Sequence, residues 1–132
     1  MTPRPRLLLI DDSWDFREGL RIRLTSEGFD VCTVGSGREG LALARQEAFD
    51  LVLLDMLMPE QDGVATYQAL RADPNTRRLP IILLTGIARE GHWEPLPYNT
   101  DGPAFIMGKP YDHAEVVTRI NQVLSQANGR TC

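Results

Sequence analysis

The chain has 132 residues, of which 42% are hydrophobic and 24% charged, with a formal net charge of −4. That length suits one globular domain able to bury roughly two thirds of the surface its unfolded chain exposes, and the composition argues against a disordered protein. The acidic balance argues against direct binding to nucleic acid or to an anionic membrane surface, both of which select basic faces.

The first apolar run, "LLLI" at 7–10, follows the basic "MTPRPR" and is far too short for a signal peptide or a membrane span. Cys32 and Cys132 lie too far apart to suggest a disulfide framework or metal-ligand spacing. A soluble, cytoplasmic protein is expected. The run ends on two adjacent acids, Asp11 and Asp12, whose repulsion needs a reason. A helix follows, with Phe16, Leu20 and Leu24 on one face, Asp12 or Ser13 as its N-cap and Gly28 at its end.

"VCTV" at 31–34 leads into "VGSGREGLALA", in which Gly35, Gly37 and Gly40 have G-x-G-x-x-G spacing. On paper this is a dinucleotide fingerprint, with Asp55 as a ribose-binding acid. The alternative is local: Ser36 and Glu39 form a capping box for a second helix carrying Leu41, Ala44 and Ala48, and the glycines ease the turn.

"LVLL" at 51–54 ends on Asp55, and a shorter helix is expected over Asp62 to Ala72. "IILL" at 81–84 ends on Thr85, and "AFIM" at 104–107 is followed by Gly108 and Lys109. The last helix carries Val116, Ile120, Val123, Leu124 and Ala127 on one stripe. His92 and His113 have no metal-ligand partner nearby in sequence. Only "NGRTC" follows the last helix, so no output domain is expected within these residues.

Unbroken apolar runs alternating with helices describe a doubly wound α/β domain with a parallel sheet. Ligands of such sheets bind beyond the carboxyl ends of the strands, where strand order reverses. Reading off the strand ends gives Asp11 and Asp12, Asp55, Thr85 and Lys109. Three carboxylates in one small site repel, and a hard divalent cation such as Mg2+ would resolve the repulsion while leaving positions for phosphate oxygens. Asp55, alone on a central strand, is the candidate nucleophile, Lys109 would steady phosphoryl oxygens, and Asp11 and Asp12 would hold the metal. A flavodoxin-type site would need donors where this chain has two acids. An aspartate-nucleophile phosphohydrolase typically has a second acid two residues after the nucleophile, where this chain has Leu57.

Together "LLLIDD", "LVLLDMLMPEQDG", "ILLTG" and "KP", in that order, resemble the receiver domain of two-component response regulators across roughly residues 6–127. The resemblance implies a flavodoxin-like, five-stranded parallel sheet of order 2-1-3-4-5, with the whole chain, 1–132, as a single receiver domain. It implies phosphorylation of Asp55 by a phosphohistidine on a sensor histidine kinase or a histidine phosphotransfer protein. Asp12 would ligate Mg2+ directly and Asp11 through water, joined by Asp55 and the backbone carbonyl of Leu57. Thr85 and Lys109 would bind the phosphoryl group, in a switch that catalyses only its own phosphorylation and possibly its dephosphorylation.

The chain departs from the family where it usually places a fourth helix. Residues 86–105 contain Gly86, Gly91, Pro95, Pro97, Gly102 and Pro103, so that helix is expected to be shortened or absent. The usual switch aromatic lies three residues before the lysine, where this chain has Ile106. Phe105, the switch candidate, would face the opposite side of the sheet unless a bulge near Gly108 shifts the register. Leu57 and Ile87 are expected to shield an acyl phosphate from water. Two alternatives stay open: a receiver-like interaction module that signals without phosphorylation, and a small dinucleotide-binding protein using Gly35, Gly37 and Gly40.

Overall fold

The computed structural model describes residues 4–55, 63–85, 93–95, 102–108 and 112–129. In chain order these form β1 (Arg6–Ile10), α1 (Trp14–Ser26), β2 (Asp30–Val34), α2 (Gly37–Gln46), β3 (Leu51–Asp55), α3 (Gly63–Ala72), β4 (Ile81–Thr85), β5 (Trp93–Pro95), β6 (Ala104–Gly108) and α4 (His113–Gly129).

The sheet order is β2-β1-β3-β4-β6-β5, and every pairing is parallel except β5 with β6. The five parallel strands thus run in the expected order 2-1-3-4-5, with β6 as the fifth. The sequence does not announce the three-residue β5, which adds an antiparallel edge. Pro95 is tolerated there because an edge strand has one side on which a missing N–H costs no ladder bond. Among the described residues between β4 and β6 there is no helix.

Period-two alternation divides the core into two layers. Leu7, Leu9, Leu51, Leu53, Ile82, Leu84 and Met107 face Leu20 and Leu24 of α1 and Val116, Ile120, Val123 and Leu124 of α4. Leu8, Ile10, Val52, Leu54, Ile81, Leu83 and Ala104 face Ala44 of α2 and Tyr67 and Leu70 of α3. Strands β1, β3 and β4 are therefore apolar on both faces, which is why their runs are unbroken, whereas Val31–Val34 of β2, on the edge, are only half-buried.

Local chemistry sets the helix ends. Ser13 caps α1 by accepting from the Phe16 amide at 3.3 Å, and Ser36 caps α2 by accepting from the Glu39 amide at 3.2 Å. Gly28, just after α1, has φ of 101°, a conformation a side chain would strain. Helix α2 ends at Gln46, two residues before the last position of its apolar spacing, so Ala48 lies outside it and is exposed. Gly40 lets α2 sit close on β1: a Cβ there would lie 2.3 Å from Ile10 Cδ1.

Candidate acidic metal site

The carboxyl ends of β1 and β3 meet because their register pairs Ile10 with Leu54, which leaves Asp11 and Asp55 side by side one residue further on. Asp55 ends β3 and is 3% exposed; Asp11 directly follows β1 and is 1% exposed. Asp12 is exposed at the rim. Each of the three can place one carboxylate oxygen so that all lie within 4.8 Å of one another.

The turn that delivers the two acids is tied down at several points. The Asp11 amide donates to the Val34 carbonyl at 3.2 Å, extending the β1–β2 ladder. Asp11 Oδ1 accepts from the Ser13 amide at 2.9 Å, and the Asp11 carbonyl accepts from Arg17 Nη1 at 2.9 Å. Sequence reasoning passed over Arg17: six residues from Asp11, it looks like one more charged position on a surface helix.

Three carboxylates gathered this closely form a hard, all-oxygen donor set, and a divalent cation would offset their mutual repulsion. The donor chemistry fits Mg2+, which takes few protein carboxylates and keeps other positions for water or phosphate.

The remaining candidates are distributed as follows. Thr85 ends β4, one position beyond Leu84, which pairs with Asp55, so its backbone reaches the same edge of the sheet. Thr85 also pairs with Gly108, which places the last residue of β6 at that edge. Leu57, Ile87 and Lys109 lie outside the described residues. Phe105 packs with the α1–α4 layer and Ile106 with the α2–α3 layer. The β4–β6 register runs unbroken from Ala104 to Gly108, so no bulge moves Phe105 to the face of Ile106. Two of the glycines at 35–40 have packing explanations, Gly35 adjoining the Arg17 guanidinium and Gly40 receiving Ile10, while Gly37 is buried in the first turn of α2.

The sequence profile of the response regulator receiver domain matches residues 7–121. The chain belongs to the response regulator receiver domain family. This receiver domain is 37% identical over 122 residues to the transcriptional activator protein PfeR of Pseudomonas aeruginosa, a match covering 92% of the chain and 38% of PfeR. It is 34% identical over 119 residues to the DNA-binding response regulator MtrA of Mycobacterium tuberculosis, covering 90% of the chain and 50% of MtrA. The chain therefore spans half or less of these two relatives. Among solved structures it superposes on the chemotaxis protein CheY4 of Vibrio cholerae with a TM-score of 0.74 at 26% identity, covering 91% of the chain and 98% of CheY4. With the receiver domain of a sensor histidine kinase from Pseudomonas aeruginosa the TM-score is 0.76 at 26% identity, covering 92% and 98%. That neighbour holds a magnesium ion in its active-site cleft.

Receiver domains are signalling modules that bind Mg2+ at an acidic site, and response regulators of two-component systems are phosphorylated by histidine kinases. The dinucleotide and phosphorylation-independent alternatives are not favoured. Among the described residues, no helix is long and apolar enough to cross a membrane.

Proposed function

We propose that this receiver domain accepts a phosphoryl group on Asp55 from a phosphohistidine, carried by a sensor histidine kinase or a histidine phosphotransfer protein, and so switches a protein-interaction surface. The observation that carries this reading is the convergence of Asp11, Asp12 and Asp55 within 4.8 Å at the strand ends of a receiver-family fold. In the transfer, an Asp55 carboxylate oxygen attacks phosphorus. An O–P bond forms as the P–N bond breaks, and the electron pair leaves with the donor imidazole.

Asp55 suits this role because it is fixed at the end of a central strand and nearly buried, so its carboxylate is aimed by the sheet and largely shielded from competing water. Asp12 would hold the metal directly and Asp11 through water, with Asp55 and the Leu57 carbonyl completing the protein's share. Bound Mg2+ supplies positive charge that offsets the carboxylates and the incoming phosphoryl oxygens. The Thr85 hydroxyl and the Lys109 ammonium would bind those oxygens in the product. Asp11, with its carboxyl tied to the Ser13 amide, keeps the β1–α1 turn in the shape that presents Asp12.

The chain's catalysis is confined to its own phosphorylation and dephosphorylation, its place of action is the cytoplasm, and its folded core, about 6–127, is a single receiver domain. The output partner is a protein rather than DNA contacted by this domain, in keeping with the net charge of −4. The test is incubation with a small-molecule phosphodonor and Mg2+, read by intact mass. A one-phosphoryl mass gain that disappears in Asp55→Asn and with a chelator is expected; labelling that survives Asp55→Asn would refute the assignment.

A further inference from the structure

Beside the acidic turn lies a half-buried arginine to which the scheme above gives no role. Arg17 Nη1 donates to the Asp11 carbonyl at 2.9 Å. The same guanidinium lies next to Gly35: a Cβ there would lie 2.9 Å from Nη1, the nitrogen that donates to Asp11, 3.6 Å from Cζ and 3.7 Å from Nη2. Among the described residues only Gly28 has positive φ, so the backbone conformation does not require glycine at 35. What a side chain at 35 would disturb is the guanidinium.

We infer that Arg17, seated against Gly35, is a positioning residue that holds the Asp11–Asp12 peptide so that the Asp12 carboxylate meets those of Asp11 and Asp55 around a divalent cation. The Asp11 carbonyl belongs to the peptide that carries the Asp12 nitrogen, so fixing its direction fixes the plane from which Asp12 departs. The Asp11 amide and side chain are already held by Val34 and Ser13, and the bond from Arg17 fixes the third polar group of the same residue. A charge-assisted donor makes that bond stronger than a neutral one. Asp12 is exposed, so its direction depends on its backbone more than on packing. The first glycine of the G-x-G-x-x-G stretch thereby gains a role: it clears space for a side chain that shapes the acidic site.

This inference rests on the receiver reading of the site, and the experiment separates the two. Mg2+ affinity is measured by titrating the 15N-labelled domain and following the amides of residues 11–13 and 55, in wild type, Arg17→Ala, Arg17→Lys, Gly35→Ala and the Arg17→Ala/Gly35→Ala double variant. Arg17→Ala and Gly35→Ala are each expected to weaken Mg2+ binding by roughly three- to tenfold, because the Asp11–Asp12 peptide, already held in the ion-free domain of the wild type, must then be ordered when the ion binds. The double variant should be no weaker than Arg17→Ala alone, because the group that the new methyl displaces is already gone. A general loss of fold would instead multiply the two effects. Should Arg17→Ala unfold, Arg17→Lys keeps the stem and charge without the fork and is read in its place. Variants that bind within twofold of wild type, or losses that multiply, overturn the role of Arg17. A wild type whose amides do not respond to Mg2+ overturns the metal site itself.

Discussion

Glycine to alanine at positions 40 and 19 makes the same chemical change in two helices and is expected to act with opposite sign. In a helix interior the change favours folding by about 1 kcal/mol, because alanine has less backbone freedom to lose. At Gly19 in α1 the new Cβ would meet its nearest neighbour, His113 Cε1, at 3.8 Å, an ordinary contact, so the gain stands. At Gly40 in α2 the Cβ would lie 2.3 Å from Ile10 Cδ1 and 2.7 Å from its Cγ1. Ile10 is fully buried and β-branched, so it cannot swing aside without disturbing Leu54 or α2. Overpacking costs about 1–3 kcal/mol, and a 2.3 Å approach to a fully buried side chain falls in the upper half of that range, so it outweighs the helix term and leaves Gly40→Ala destabilised by about 1–2 kcal/mol. For a domain of this size that is a fall in the unfolding midpoint of about 3–8 °C, against a rise of about 3–4 °C for Gly19→Ala. Urea and thermal unfolding followed by circular dichroism measure both. A Gly40→Ala domain as stable as wild type would refute the reasoning that glycine is there for helix–strand approach.

Three further outcomes are expected. Mg2+ at ten times its dissociation constant should stabilise the wild type by about 1.4 kcal/mol through mass action, and thermal melts with and without the ion should show that increment largely lost in Asp12→Asn. Asp73 accepts from the Asn75 amide at 2.8 Å and from Arg45 Nε at 2.5 Å, and these bonds hold its carboxyl below the usual range. A depressed folded-state pKa gives stability that is present above the unfolded value and lost as pH falls through the folded one. Urea melts should therefore find Asp73→Asn weaker than wild type at pH 7 and the gap closing in acid, below the carboxylate range. Arg71 donates to the carbonyls of Arg77, Leu79, Gly102 and Pro103 at 2.8, 2.6, 3.3 and 3.0 Å, tying the amino ends of β4 and β6 together. Arg71→Met should cost about 2–3 kcal/mol in urea unfolding while leaving Mg2+ affinity unchanged, since the site is at the other end of the sheet.

Much of this architecture is written in local patterns. Unbroken runs such as Leu51–Leu54 mark strands covered on both faces, and the acids that end them mark the carboxyl edge, so Asp11, Asp12 and Asp55 could be nominated before any coordinates. Ser36 and Glu39 announced the start of α2 because a capping box is complete within four residues. Features that depend on distant partners were not legible. Nothing local links Gly35 to Arg17, or the carbonyls of Gly102 and Pro103 to Arg71. Strand β5 has only three residues, too few for a period to show, and forms because β6 offers it an edge. The extent of α2 was overread, since Ala48 continues the helical spacing although the chain has already turned toward β3. Phe105 lies between these cases: alternation along β6 puts it on the face opposite Ile106 unless a bulge near Gly108 intervenes, and the unbroken register with β4 keeps it there.

The central claim is that Asp11, Asp12 and Asp55 together hold a divalent cation beside a phosphoacceptor on Asp55. It is tested most directly by a crystal structure of the domain with Mg2+ and beryllofluoride. The expected density shows beryllium bonded to an Asp55 carboxylate oxygen and the metal lodged among the three acids, with Asp12 in direct contact. Beryllofluoride on another residue, or Mg2+ bound away from Asp12 and Asp55, would contradict it.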